Sequence, residues 1–485
     1  MQLSDQALLR TQAYIDGQWV DADSGETFAV TNPATGASIA AIAKCGTDET
    51  RRAIAAAERA LIIWRQKTAK ERAAVLRKWF ELVIEHQDDL AQIMTAEQGK
   101  PLPEATAEVV YGANYIEWFA EEAKRIYGDT IAPPSNDKRI VVIKQPIGVV
   151  ACITPWNFPS AMLTRKIAPA LAAGCTVVCK PANATPLSAF AVVELLERAG
   201  APAGVVNIVA GNTRQIGAEM TSNPVVRKLS FTGSTAVGKL LMQQCASTVK
   251  RTSMELGGNA PFIVFDDADI DQAVEGAIAC KYRNAGQTCV SANRIFVQEK
   301  VHDEFTKKLA AASAALKMGD GTEAGVLIGP LIDAGAANDV VEIVNDAVAK
   351  GAKIVVGGGR SELGACFVEP TVLTGVNSKM RMFREEIFGP IAPIYKFKTE
   401  AEAIALANDT EFGLASYFYA RDIGRIWRVS EGLEYGIVGV NAGMISNEMA
   451  PFGGVKESGQ GREGSHYGLD DYLEIKAITI GGIDS

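Results

Sequence analysis

This chain predicts an α/β protein with two open parallel-sheet domains, and three observations support that class. From 147 to 267, short apolar runs alternate with helical segments, the pattern of βαβ units. A second series of the same kind runs from about 260 to 441. The 485 residues are enough for roughly two to four domains.

The elements follow in order. Tyr14–Val20 and Thr27–Thr31, divided by a polar stretch with a glycine, predict a hairpin. Helical periodicity covers 48–122, as in Thr50–Ala60 and Ala69–Glu97. Gly128–Lys138 turns polar around Pro133-Pro134, and Arg139–Lys144 then alternates like an edge strand. Val149–Thr154, Cys175–Cys179, Val205–Val209 and Lys228–Phe231 predict strands. The spans 159–173, 187–199, 213–221 and 234–247 predict the helices that alternate with them. Strands of the second series include Pro261–Phe265, Arg294–Gln298, Ser416–Ala420 and Gly436–Val440. Two such domains place a ligand cleft between them.

Composition narrows the function. Hydrophobic residues are 48% and charged residues 22%, ordinary for a globular protein. A net charge of -9 argues against a nucleic-acid role. Eight cysteines in this length do not make a disulfide scaffold, and Cys152, Cys175, Cys179 and Cys280 sit in apolar runs. The first residues resemble no signal peptide, and no uncharged apolar run is long enough to span a membrane. A reducing cytoplasm is the expected setting. The three histidines, His86, His302 and His466, fall in no zinc-like spacing, so no metal site is expected.

Two segments carry the chemistry. Cys289 lies in the polar, Gly-containing Asn284–Asn293, and Glu255 lies beside two glycines in Met254–Asn259. A thiolate attacks carbonyl carbon well, and a carboxylate can deliver water to the resulting thioester. Local donors can lower a thiol's pKa, which suits it to this role. A cysteine hydrolase would want a histidine near the thiol, and none is near in sequence.

The one G-x-G-x-x-G, Gly459–Gly464, follows no apolar strand and reads as a turn-rich loop. Phe231–Gly238 is better placed, between a strand and a helix. Gly233 removes a side chain and Ser234 is a candidate cap, so this is either a diphosphate cradle or an ordinary strand–turn–helix. Lys180 follows the strand at 175–179 and is either a ribose or phosphate partner or a plain surface lysine. Position 183 is Asn rather than an acid, so nothing there repels a 2′-phosphate, which favours NADP over NAD.

Pro155–Pro159, Phe231–Ser234, Glu255–Gly258, Gly286–Cys289, Glu386–Pro390 and Pro451–Gly454 occur in this order. Together they resemble the aldehyde dehydrogenase superfamily over essentially the whole chain. Leu163–Lys166, Lys281–Asn284 and Tyr467–Glu474 are similar to its bacterial succinate-semialdehyde and glutarate-semialdehyde branch.

The resemblance implies roles. Cys289 is the expected nucleophile, Glu255 the base for thioester hydrolysis, and Asn157 the oxyanion donor beside the Cys289 N–H. NADP or NAD is expected against Thr154, Pro155, Trp156, Lys180, Asn183, Gly233, Ser234, Gly238, Leu256, Glu386 and Phe388. Arg165, Arg283 and Ser446 are expected on the carboxylate of a small aldehyde substrate, succinate semialdehyde first, with glutarate semialdehyde or a less specific aldehyde as alternatives. Relatives that pass the acyl group to coenzyme A tend to lack the matching base. Residues 1–124 and 145–257 are expected to form the nucleotide-binding domain and 258–445 the catalytic domain. Residues 125–144 and 470–485 are expected to form an arm that makes a dimer, assembling to a tetramer. Many relatives carry a second cysteine two residues after the nucleophile. Ser291 stands there in this chain, so no disulfide switch is expected.

Overall fold

The computed structural model describes residues 1–483. An eight-stranded sheet has the spatial order 459–460, 251–255, 226–232, 149–153, 176–180, 206–208, 13–15, 18–20. Its middle five strands are parallel, and those at both ends are antiparallel. Val149–Ile153 and Thr176–Lys180 are buried throughout, as strands covered on both faces must be, which is why they read as continuous apolar runs. The chain enters the parallel set at Val149–Ile153, builds outward to Val206–Ile208, then crosses back to Val226–Thr232 on the other side. The strand order reverses there, and ligands of open α/β sheets bind at the carboxyl ends flanking such a point.

A seven-stranded sheet has the order 353–356, 371–374, 391–397, 292–298, 260–264, 415–419, 437–440, parallel except for the pairing of its first two strands. Each large sheet has its own apolar core. The two-domain α/β reading therefore describes the observed sheets.

Two strand expectations need correction. Tyr14–Val20 is not one strand paired with Thr27–Thr31. Asp16 and Gly17 both take positive φ, 52° and 80°, and fold Ala13–Ile15 onto Gln18–Val20 in a tight turn. Thr27–Thr31 pairs instead with Ser38–Ala43. Arg139–Pro146 is not an edge strand either. It is the middle of a three-stranded sheet, between Asp129–Ile131 and Leu473–Ile480. The edges are Asp129–Ile131 and Leu473–Ile480, and Ile475 on the latter is 72% exposed. The last two residues of the expected arm, 484–485, lie outside the described residues.

The helix Ala161–Ala173 is buried along its whole length, Arg165 and Lys166 included. Two buried cations inside a helix require anions from elsewhere. Among the described residues no helix is long and apolar enough to cross a membrane.

Candidate active site

A cleft of about 240 Å³ opens at the strand-order reversal. Its walls include Pro155, Trp156 and Asn157, from the turn after Val149–Ile153, and Gly233 and Ser234, from the turn after Val226–Thr232. Leu256, Cys289, Glu386 and Phe388 complete them. Segments far apart in sequence are thus brought onto one cavity.

Close backbone approaches hold the walls together. A Cβ at Gly258 would lie 2.3 Å from the Cys289 carbonyl oxygen, so the glycine lets the Glu255 segment touch the nucleophile loop. Gly238 lies beneath Leu256, where a Cβ would come 2.4 Å from its side chain. Gly238 therefore acts through Leu256 and does not face the cleft itself. The Glu386 carboxylate accepts from the Gly258 N–H at 3.0 Å, and burial pushes its pKa up to about 7. Phe388 meets Trp156 edge to face at 5.5 Å.

A recess of about 20 Å³ leads off from Cys289. Phe158, Met162, Arg165, Arg283, Ser446 and Phe452 are among the residues that line it. Arg165 Nε lies 2.5 Å from Glu463 Oε2. The geometry there is an ion pair, not an aligned hydrogen bond, and Arg165 Nη2 has no acceptor among the described residues. Arg283 lies over the Phe158 ring at 4.7 Å, with no carboxylate paired to it among the described residues.

Other expected positions lie outside the cleft wall. Lys180 is buried and turns its ammonium to the Pro181 carbonyl at 3.0 Å. It is therefore not a surface lysine, and burial draws its pKa down to about 8. Asn183 donates to the Gly211 carbonyl at 2.7 Å. Thr154 is buried with its hydroxyl unpartnered. Ser234 does occupy the N-cap of Thr235–Cys245, but its side chain makes no capping hydrogen bond.

Burial, with the Glu386 and Glu255 charges, pushes Cys289 up to about 12, and the Arg165 charge offsets only part of this. Glu255 is buried, and Oε2 has no partner among the described residues. Burial, then the Glu463 charge, holds its pKa well above the usual carboxylate range. Burial works the same way on Glu463, but Arg165 and Lys166 outweigh it and keep that carboxylate ionised.

A family model of the aldehyde dehydrogenases matches residues 19–478. The chain belongs to the aldehyde dehydrogenase family. Over 484 residues, all of both chains, it is 62% identical to a 3-sulfolactaldehyde dehydrogenase of Pseudomonas putida. It is 63% identical over 483 residues, again all of both chains, to a glutarate-semialdehyde dehydrogenase of Pseudomonas aeruginosa. To the NADP(+) succinate-semialdehyde dehydrogenase GabD of Escherichia coli it is 62% identical, over 99% of this chain and 100% of that one. The crystal structure of succinate-semialdehyde dehydrogenase from Burkholderia pseudomallei superposes with a TM-score of 0.98 at 62% identity, covering 99% of this chain and 100% of that one.

Aldehyde dehydrogenases use NAD or NADP, and the residues present fit such a group. Glycines at 233 and 257 keep the strand ends open: a Cβ at Gly233 would meet the Phe231 ring at 2.5 Å, and one at Gly257 the Glu386 carboxylate at 2.9 Å. The Ser234 hydroxyl and the N-terminus of Thr235–Cys245 stand beside them, uncommitted.

Glu463 carried no signal in the sequence. It lies inside the Gly459–Gly464 run, which does form a loop: Gly459, Gly461 and Gly464 all have positive φ. That loop delivers Glu463 to both Arg165 and Lys166, each at 2.5 Å.

Proposed function

We propose that this aldehyde dehydrogenase oxidises succinate semialdehyde to succinate with NADP in preference to NAD. The carrying observation is the recess behind Cys289, lined by two guanidiniums with donors to spare. A guanidinium fork suits a carboxylate, and such charge-assisted bonds are strong. With Glu463 balancing one of Arg165 and Lys166, the cluster keeps a positive charge for an anionic tail. Ser446 stands beside it as a further donor.

The Cys289 thiolate adds to the aldehyde carbon as the carbonyl pair moves onto oxygen, forming a thiohemiacetal oxyanion. Asn157 Nδ2 and the Cys289 N–H donate to the oxyanion. A bound nicotinamide would supply the hydride acceptor, and loss of hydride from that carbon would leave the acyl group on Cys289 as a thioester. Glu255 then takes a proton from water as that water attacks the acyl carbon. Burial and the Glu463 charge raise its pKa above the usual carboxylate range, so it is a stronger base than a solvent-exposed carboxylate. Glu386 and Phe388 would orient the nicotinamide end of the cofactor; Pro155, Trp156, Gly233, Ser234 and Leu256 would line the rest. Lys180 and Asn183 would serve the ribose end, where Asn183 rather than an acid meets a 2′-phosphate.

Glutarate semialdehyde is the second reading, supported by the Pseudomonas aeruginosa relative. One methylene is worth only about 1–3 kcal/mol in a pocket. The 3-sulfolactaldehyde relative adds a sulfonate tail to the substrates worth assaying, because a guanidinium fork also accepts that group.

The domain division is 1–124 with 145–257 for the cofactor and 258–445 for catalysis. The three-stranded sheet is the assembly arm of a homodimer or homotetramer, whose exposed Ile475 and Ile480 a neighbouring copy would cover. The enzyme works in the cytoplasm, consistent with its free cysteines. Initial rates with succinate semialdehyde, glutarate semialdehyde, 3-sulfolactaldehyde and butanal, each with NADP and NAD, test the reading. Comparable rates with butanal would remove the arginines from the substrate site.

A further inference from the structure

Asn157 is held from behind by a residue that lines neither the cleft nor the recess. Lys100 is fully buried, just before the helix Leu102–Glu122. An ammonium has three donor directions, and here each has a use. One meets Glu108 Oε2 at 2.5 Å. A second meets the Asn157 backbone oxygen at 2.8 Å. The third faces the Phe158 ring, 3.9 Å from its centre.

These contacts fix the Asn157 amide. Asn284 Nδ2 also donates to the Asn157 carbonyl, at 3.0 Å, so both lone pairs of that oxygen are taken and the peptide plane is held. Asn157 Oδ1 accepts from the Phe158 N–H at 3.1 Å. Its Nδ2 is left aimed at the nucleophile loop, 3.0 Å from the Gln287 carbonyl. The other oxygen of Glu108 accepts from the N–H groups of Ser160 and Ala161, at 3.0 and 3.2 Å. The same ion pair therefore holds the start of the helix that carries Arg165.

The nucleophile loop is gripped from the same segment. Asn284 and Ala285 both have left-handed backbones, with φ of 52° and 53°. Residues other than glycine hold that conformation only where their surroundings over-determine it. Gln98 Nε2 donates to Asn284 Oδ1 at 3.0 Å, and Glu104 accepts from the Asn284 N–H at 2.8 Å.

We infer that Lys100 is a positioning residue for this reaction: with Glu108 it fixes the Asn157 amide opposite the Cys289 loop. The inference rests on the reading of Asn157 as the oxyanion donor. A misplacement of about 1 Å in a reacting geometry costs on the order of 10²-fold.

The test is a cycle of K100M, N157A and K100M/N157A in the full-length enzyme, read by single-turnover formation of reduced cofactor. Cofactor affinity and the rate of Cys289 alkylation by iodoacetamide are read beside it. K100M is expected to slow the single turnover by about 10²-fold. Cofactor affinity and alkylation should stay at the wild-type values. K100M/N157A should be no slower than N157A, because Lys100 acts through Asn157. Losses that multiply, or an unchanged single turnover in K100M, would overturn the inference. If N157A itself turns over at the wild-type rate, the reading of Asn157 falls and the role of Lys100 with it. Removing one member of a buried pair is far more disruptive than removing both. If K100M does not fold, K100M/E108Q enters the same cycle in its place, with the same expected and contrary outcomes.

Discussion

On the cofactor side of Cys289 the wall is made of turns that follow parallel strands, 154–157 and 232–234, with glycines where backbones nearly touch. On the tail side it is made of a buried helix, Ala161–Ala173, and of the loops at 283–290 and 446–452. The cofactor side works through backbone N–H groups, open space and one carboxylate. The tail side works through charge: Arg165, Lys166 and Glu463 lie together within ion-pair distance, with no solvent to screen them. Open backbone can be built from consecutive residues. Buried charge must be balanced, and its partners arrive from distant parts of the chain. Cys289 stands where the two constructions meet, lining both cavities.

Removing the meeting point has the largest effect. C289A should lose kcat/KM by about 10⁴-fold or more with every aldehyde, measured as reduced cofactor at 340 nm. Residual turnover near the wild-type rate would move the nucleophile elsewhere. Next is Glu255: E255Q should slow steady-state turnover by about 10²–10⁴-fold yet keep a first burst of reduced cofactor, because hydride transfer precedes hydrolysis. A lost burst would place Glu255 in the first half of the reaction instead.

Glu463 sharpens the contrast. E463Q leaves two buried cations without their anion, a loss of about 3–5 kcal/mol that thermal unfolding would register. It also removes the charge that helps hold Glu255 protonated. Glu255 serves as base only when ionised, so activity rises with pH through its raised pKa. Without the Glu463 charge that acidic limb should move to lower pH. A limb that stays in place would separate Glu463 from the base.

The smallest effect concerns oxidation. Ser291 Oγ donates to the Lys281 carbonyl at 3.3 Å and offers no thiol, and Cys280 is buried where Cys289 is partly accessible. Peroxide should therefore drive Cys289 up the oxidation ladder. Dithiothreitol would restore little activity after prolonged exposure. Full recovery through a disulfide with Cys280 would contradict this.

The same contrast explains what was legible in the sequence. Thr154–Asn157, Gly233-Ser234, Glu255–Gly258 and Cys289 are local patterns, and the parallel strands beneath them are unbroken apolar runs. Lys353–Val356, Thr371–Thr374 and Ile391–Phe397 were not legible. Pro393 sits inside the last of these, where proline argues against a central strand. The turn at Asp16-Gly17 was hidden inside an apparently continuous strand, because its signal is two residues long. Lys100, Glu108 and Glu463 carry no pattern in the sequence. Only the packing of Leu102–Glu122 against Ala161–Ala173, and the glycine-rich loop at 459–464, bury them.

The measurement that bears most directly on the central claim compares succinate semialdehyde with butanal in wild-type enzyme and in R283L. Arg283 stands in the tail recess and not in the cofactor cleft. A charge-assisted hydrogen bond contributes about 1.5–3 kcal/mol, roughly 10- to 10²-fold. The account predicts that R283L loses that factor in kcat/KM for succinate semialdehyde through KM, and keeps the wild-type rate with butanal. Equal losses with both aldehydes would contradict it, and would make Arg283 a structural residue.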